Sequence, residues 1–161
     1  MTIAVYPGSF DPFTKGHMDI VSRGAGIFDE VVVGVLLNTS KQPLFTPDER
    51  VGMIQEACKE YPNVRVETFS GLLVTYMEKI GAGIILKGLR AVADYEYELS
   101  MAQMNKCLNN NVETMFLMSN SNFSHVSSSM IKEIVKLGGD VRDFVPENIY
   151  DALNNKLTGR I

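Results

Sequence analysis

The residues best suited to chemistry in this sequence lie in three short polar segments. In the first, Gly8 permits close backbone approach, and Ser9 offers an anion both a hydroxyl and an N–H. Thr14 is a suitable N-cap that places His17 in the first turn of a helix, where N–H groups and the helix dipole favour a phosphate. The alternative is structural: Gly8 and Pro12 shape a tight turn, and His17 only marks a helix start.

The second and third segments add cations and hydroxyls. Segment 87–90, Lys-Gly-Leu-Arg, places a cation on either side of Gly-Leu, and segment 126–132 places three serines at a helix start. Each has an ordinary explanation, a solvated loop for the first and helix capping for the second. Lys41 lies in a polar loop from which it can join them. Because the chain has a net charge of −4, solubility does not explain a cation cluster, and an anionic ligand is favoured.

Alternating periods of hydrophobic residues predict the elements that position these segments. Short apolar runs predict strands at 3–6, 30–37, 64–67, 84–86 and 112–118. Helical patterns fill the intervals, at about 16–28, 46–60, 72–80, 91–108 and 127–137, with a last helix opened by Pro146. The alternation predicts an α/β fold, a single-domain, doubly wound, Rossmann-like parallel sheet of five strands over residues 1–161. Ligands of such sheets bind beyond the carboxyl ends of the strands, where all three segments fall.

Composition excludes several function classes. An excess of 19 acidic over 15 basic residues argues against nucleic acid and anionic membranes as partners. No apolar run approaches the length of a membrane span. Neither the P-loop nor the G-x-G-x-x-G pattern is present. Two histidines and two cysteines, far apart, predict no metal site made of protein side chains, and no leader pattern opens the chain, so a cytoplasmic location is expected.

The three segments together resemble one enzyme family. Thr14-Lys15-Gly16-His17 is similar to the T-x-G-H signature of nucleotidyltransferases, and segment 126–132 resembles their second signature, I-S-S-T-x-x-R, in altered form. With Pro-Gly-Ser-Phe-Asp-Pro at 7–12 and Gly-Leu-Arg-Ala-Val-Ala-Asp-Tyr-Glu-Tyr-Glu at 88–98, nearly the whole chain resembles the bacterial phosphopantetheine adenylyltransferases.

This resemblance implies adenylyl transfer from ATP to 4′-phosphopantetheine, giving dephospho-coenzyme A and pyrophosphate, the penultimate step of coenzyme A synthesis. It implies that His17 binds the ATP phosphates and stabilises the transition state. It also implies Mg²⁺ carried by ATP, and a homo-oligomer, a hexamer.

The resemblance also implies the contacts of the substrates. Ser9 would touch both substrates, with Phe10 beside it on the ATP side, and Lys41 and Lys87 would hold the acceptor phosphate. The implied ATP site further contains Gly88, Leu89, Arg90, Glu98, Phe123, Ser124, His125, Val126, Ser127, Ser128 and Ser129. The implied contacts of the pantetheine arm are Leu73, Met104 and Asn105.

Two positions depart from the family pattern, and two other functions stay open. Lys87 stands where arginine is familiar, and His125 stands where an aromatic residue is more common. One alternative is a nucleotidyltransferase that joins another phosphate ester to ATP or CTP. The other is a nucleotide-binding regulator without catalysis. For the transfer itself, a phosphate monoester with a second pKa of about 6 needs no general base, so positioning and charge suffice.

Overall fold

The computed structural model describes residues 1–38 and 42–157, and its five-stranded parallel sheet confirms the predicted α/β class. The strands are β1 (Ile3–Gly8), β2 (Glu30–Leu36), β3 (Val64–Phe69), β4 (Ile84–Leu89) and β5 (Glu113–Met118). The helices are α1 (Lys15–Ala25), α2 (Pro47–Ala57), α3 (Leu73–Ile80), α4 (Val92–Leu108), α5 (Ser128–Lys136) and α6 (Glu147–Leu157). The strand order β3-β2-β1-β4-β5 puts the switch point between β1 and β4. The single domain over residues 1–161 stays a prediction.

Strand β2 is buried on both faces of the sheet, because its apolar residues point to each face in turn. Along β2, Val31 and Val33 join a large core with residues of α1, α2, α5 and α6. Val32, between them, joins a smaller core that includes Val74 and Met77 of α3. The large core therefore supports α1 and α5, the two helices that begin at the first and third polar segments.

Hydroxyl side chains set the starts of three helices. Thr46 accepts a hydrogen bond from the N–H of Glu49 at 3.2 Å, and the Glu49 carboxylate accepts one from the N–H of Thr46 at 2.7 Å. This reciprocal pair is a capping box, and it lies at the start of the helix that the sequence predicts at about 46–60. Thr14 and His17 form a second capping box at the start of α1, whereas Ser127 caps α5 with a single bond, accepted from the N–H of Met130. These caps fix the angle at which α1 and α5 leave the sheet edge.

Strands β1 and β4 run further than the sequence predicts. The predicted ends were residues 6 and 86, whereas the strands continue to Gly8 and Leu89. Pairing of β1 with β2 extends to Gly8, but its pairing with β4 is described only at Ala4 and Val5. Pro7 has no N–H to donate to a ladder. The two central strands thus separate toward their carboxyl ends, and a groove opens at the switch point.

Helix α4 is the least buried of the helices that pack around the sheet. It is the longest helix, yet none of its residues whose burial is described is buried. Its exposed apolar residues include Val92, Tyr97 and Met104, with 83%, 66% and 57% of their surface accessible. In the described part of the chain, no helix is long and apolar enough to cross a membrane.

Candidate active site

A cavity of about 390 Å³ lies at the carboxyl ends of β1 and β4, where the two strands separate. Twelve of the residues predicted for the site line it. They are Ser9, Phe10, His17, Lys87, Gly88, Arg90, Glu98, Phe123, Val126, Ser127, Ser128 and Ser129. Two sides can be distinguished: the β1 wall, made of the lining residues of segments 8–17 and 126–132 together with Arg50, and the β4 wall, made of Lys87, Gly88, Arg90 and Glu98. The fold thus brings the three polar segments together.

Six predicted residues lie outside the cavity wall. They are Leu73, Leu89, Met104, Asn105, Ser124 and His125. The His125 ring packs edge-on against Phe144 at 5.8 Å, and Leu73 packs against the smaller core. Lys41 falls outside the described residues. The substrate contacts assigned to these residues stay predictions.

His17 is locked in one tautomer by the cap of α1. The Thr14 N–H donates to Nδ1 of His17 at 3.0 Å, while the Thr14 hydroxyl accepts from the His17 N–H at 3.3 Å. Because Nδ1 accepts, the ring proton of neutral His17 resides on Nε2. The imidazole lines the cavity as a hydrogen-bond donor whose orientation is set by backbone.

The surroundings of His17 keep it uncharged. Burial, together with the positive charges of Arg90 and Lys87, lowers the pKa of His17 to about 3. The rings of Phe10 and Phe13 lie 5.1 and 5.5 Å from it, centroid to centroid. At neutral pH the side chain is therefore a neutral donor suited to a phosphoryl oxygen, and it is not a proton carrier.

Two glycines of the site make room for protein side chains. A Cβ on Gly8 would stand 2.8 Å from the ring of Phe10. A Cβ on Gly88 would stand 3.0 Å from the side chain of Ile20 in α1. Phe10 itself is buried and has a φ of +50°, a region that side-chain-bearing residues seldom occupy. The sequence indicated backbone approach by a ligand at Gly8, whereas the structure fills that space with Phe10.

Asp11 anchors the β1 wall, and sequence reasoning did not single it out. Its carboxylate accepts hydrogen bonds from the N–H groups of Leu44 and Phe45, both at 2.9 Å, and from Nζ of Lys132 at 2.9 Å. Burial alone would raise the pKa of Asp11, but these donors outweigh it and hold the pKa below its ordinary value. Asp11 thus joins the first segment to the loop before α2 and to α5.

The three serines of the third segment have different positions. Ser127 is the N-cap of α5 and accepts from the N–H of Met130 at 3.2 Å. Ser128 donates to the carbonyl of Pro12 at 2.7 Å, which ties α5 to the β1 wall. Ser129 is exposed and lines the cavity. Capping and phosphate binding, weighed as alternatives from the sequence, are compatible because the serines differ in what they contact.

In the β4 wall, each cation is paired with a carboxylate. Nζ of Lys87 lies 3.3 Å from Glu98, and Nε of Arg90 lies 3.2 Å from Asp94. Arg90 also donates to the Val126 carbonyl at 3.0 Å, which links the two walls. The Lys87 and Glu98 side chains are 26% and 20% exposed, so an incoming phosphate can compete for the cation.

The described residues offer no protein-based metal centre. No group of three or more His, Cys, Asp or Glu side chains in residues 1–38 and 42–157 could hold an ion. The cavity instead collects lysine, arginine, helix N-termini and a neutral imidazole, the donors that phosphates use. Chemically, the arrangement can hold and align phosphoryl groups.

The chain is similar in sequence and in fold to known proteins. Residues 5–134 match the model of the cytidylyltransferase-like family. Phosphopantetheine adenylyltransferases of Alkaliphilus metalliredigens and Heliobacterium modesticaldum are 51% and 55% identical to the chain over 156 residues. These matches cover 97% of the chain and 99% and 93% of the relatives. A solved structure from Vibrio parahaemolyticus, provisionally named a nicotinate-nucleotide adenylyltransferase, is 17% identical and superposes with a TM-score of 0.73. That match covers 96% of this chain and 93% of the other, and it shows that the two share a fold.

Proposed function

We propose that this chain, which belongs to the cytidylyltransferase-like family and within it to the phosphopantetheine adenylyltransferases, transfers the adenylyl group of ATP to 4′-phosphopantetheine. The products are dephospho-coenzyme A and pyrophosphate. The observation that carries the proposal is His17, a neutral donor held at the N-terminus of α1 in a cavity lined by cations. Such a site fits a reaction between two anions.

The reaction requires alignment more than proton transfer. An acceptor oxygen attacks the α-phosphorus of ATP, a new phosphoanhydride bond forms, and the bond to pyrophosphate breaks. The acceptor phosphate is largely ionised near neutral pH, so no group needs to remove a proton from it. In this proposal, Nε2–H of His17 donates a hydrogen bond to the phosphoryl oxygens, where negative charge grows in the transition state.

The two walls divide the remaining work. We assign the ATP phosphates to Ser9, the start of α5 and Arg90, which line the cavity beside His17. Lys87, together with Lys41, is assigned to the acceptor phosphate. Lys87 is a compact charge, whereas the arginine familiar at this position has a planar fork, so the acceptor is held by charge without bidentate geometry.

Magnesium enters this proposal with ATP. Among the described residues no acidic or imidazole cluster competes for the ion, and the cavity accommodates phosphate oxygens, its preferred hard ligands. When bound, Mg²⁺ would neutralise part of the charge on the leaving pyrophosphate. We place the reaction in the cytoplasm, where the free thiols Cys58 and Cys107 remain reduced.

We propose that the chain forms a homo-oligomer, a hexamer, whose subunits contact one another through the unburied apolar surface of α4 and β5. Besides Val92, Tyr97 and Met104, this surface includes Met118, which is 69% exposed. Contiguous apolar surface is typical of interfaces between chains. Light scattering at micromolar concentration should give about six times the mass of the 17.9 kDa chain. A mass equal to one chain would contradict the proposal.

A panel of acceptors tests the function. Pyrophosphate release is measured with ATP or CTP against 4′-phosphopantetheine, nicotinate mononucleotide and glycerol 3-phosphate. We expect release with ATP and 4′-phosphopantetheine at least about a hundredfold above every other pair. Faster release with another acceptor would indicate a different nucleotidyltransferase. ATP binding without release for any acceptor would indicate a regulator.

A further inference from the structure

Four cations are described in the cavity wall, and one differs from the others. Three of them lie within 4 Å of a carboxylate: Lys87 beside Glu98, Arg90 beside Asp94 and Lys132 beside Asp11. The fourth is Arg50, in the first turns of α2. Among the described residues, no ion pair joins it to a carboxylate.

Arg50 is also the most buried of these cations. Only 4% of its surface is accessible, and its Nε is inaccessible and has no hydrogen-bond partner among the described residues. An unpaired buried charge costs free energy unless something compensates it. A cavity that receives phosphates would provide that compensation when substrates bind. The absence of a carboxylate at Arg50 therefore indicates a function.

Its guanidinium contacts the turn that carries Ser9. Nη1 of Arg50 donates to the Ser9 carbonyl at 2.7 Å and, more weakly, to the Leu36 carbonyl at 3.5 Å. The peptide whose oxygen accepts this bond carries the N–H of Phe10. A charged donor on the oxygen polarises that peptide and strengthens the N–H as a donor. The same bond restrains Phe10 in its positive-φ conformation.

We propose that Arg50 is a positioning residue for adenylyl transfer. It holds the peptide between Ser9 and Phe10 in place for the substrate phosphates, and it supplies a buried positive charge behind that peptide. This inference rests on the proposed function, because it requires phosphates in the cavity. It assigns to α2 a role in the reaction that none of the sequence motifs indicated.

A matched pair of substitutions tests the positioning role. Arg50→Met removes the charge and the hydrogen bonds at similar length. Arg23→Met is the control, because Arg23 also donates to a backbone carbonyl at 2.7 Å, that of Met118, but lies outside the cavity wall. We expect Arg50→Met to lower kcat about 10–100-fold, taking as the scale the loss typical for groups that orient the ligands of a metal site. Arg23→Met should keep kcat within about twofold. Parental kcat in folded Arg50→Met would overturn the positioning role.

Binding of pyrophosphate gives a readout that does not depend on activity. A ligand that binds only the folded state raises Tm, so pyrophosphate should stabilise the parent and the Arg23→Met control equally. In Arg50→Met the increase in Tm should fall to less than half, because the buried charge is gone. An undiminished increase would overturn the electrostatic part of the proposal.

If Arg50→Met does not fold, Arg50→Lys is tested in its place. Lysine keeps the charge but loses the planar fork. We expect the pyrophosphate-induced increase in Tm to be retained while kcat falls several-fold. Parental kcat would overturn the positioning role, and a lost Tm increase would overturn the role of the charge. A parent that releases no pyrophosphate with any acceptor would contradict the proposed function itself.

Discussion

The two walls of the cavity are built on different physical principles. The β1 wall is held by hydrogen bonds to backbone: Thr14 to His17 and Ser128 to the Pro12 carbonyl within the wall, and Asp11 to two N–H groups of the loop before α2. In the β4 wall, Lys87 and Arg90 are paired with carboxylates of α4, a helix with no residue described as buried. The β1 wall is held mainly by hydrogen bonds to backbone, and the β4 wall mainly by ion pairs that a substrate can exchange.

This difference separates two tasks of a phosphate-transfer site. Groups that stabilise a transition state must stand in place before substrates arrive, and buried, backbone-bonded groups do so without reorganisation. Cations that take up and release a substrate phosphate benefit from an exchangeable partner such as Glu98. Helix α4 also carries the apolar surface that we assign to contacts between chains, so the β4 wall is where subunit contacts can reach the site.

Removing the imidazole from the β1 wall is expected to have the largest effect. His17→Ala should lower kcat about 10²–10³-fold, or roughly 3–4 kcal/mol, because a preorganised donor to the transition state is lost. The KM for ATP should change much less. Steady-state kinetics with ATP and 4′-phosphopantetheine measure both. A kcat within about twofold of the parent would place transition-state stabilisation elsewhere.

Packing substitutions sharpen the contrast between the supports of the two walls. Ile54 of α2 is fully buried in the large core, and Ile54→Ala should lower the free energy of unfolding by about 3 kcal/mol. Tyr97→Asp, on the exposed surface of α4, should leave the circular dichroism spectrum unchanged but reduce the mass in light scattering. Denaturant titration measures the first effect. If Ile54→Ala and Tyr97→Asp lost the same free energy of unfolding, and Tyr97→Asp kept the mass of the parent, the two regions would not differ in the way described.

Lys87 tests the β4 wall. Lys87→Ala should raise the KM for 4′-phosphopantetheine about tenfold, or roughly 1.4 kcal/mol, and lower kcat through misalignment. Lys87→Arg should retain most activity, since the charge remains, and ATP binding should change little in either variant. Kinetics with each substrate varied in turn separate these effects. A parental KM for the acceptor in Lys87→Ala would mean that this residue does not bind the acceptor phosphate.

The smallest expected effect is a pH dependence of stability that comes from His17. The pKa of His17 is about 3 in the folded chain and about 6.5 in the unfolded chain. As the pH falls below about 6.5, His17 therefore takes up a proton in the unfolded chain but stays neutral in the folded chain. The stabilisation from neutral His17 is present above pH 6.5 and is lost as the pH falls toward 3. Between pH 6 and pH 5 the parent should lose about 1 kcal/mol more than His17→Gln. Parallel pH curves for the two proteins would show that His17 is not held neutral.

Local signals in the sequence predicted part of the site well. The helix caps at Thr14 and Thr46 involve residues three positions apart, and such spacing is visible in the sequence. The predicted order of alternating strands and helices was confirmed because each element has its own hydrophobic period. That order alone placed all three polar segments at one edge of the sheet.

Long-range contacts could not be predicted in this way. Arg50 meets Ser9 across 41 residues, and Lys132 meets Asp11 across 121 residues. No spacing rule links such pairs, and a buried arginine inside an ordinary helix carries no local signature. Gly8 shows the same limit: its need for space was predicted, but only the structure shows that the Phe10 ring takes it.

The most direct test of adenylyl transfer follows the phosphates of ATP. With 4′-phosphopantetheine and ATP labelled at the α-phosphate, we predict that the label enters the product of the acceptor at the rate at which pyrophosphate forms. With ATP labelled at the γ-phosphate, the label should appear only in pyrophosphate. Transfer of the γ-label to the acceptor would show phosphoryl transfer instead, and an α-label recovered only in ATP, ADP or AMP, and not joined to the acceptor, would contradict the adenylyl-transfer account.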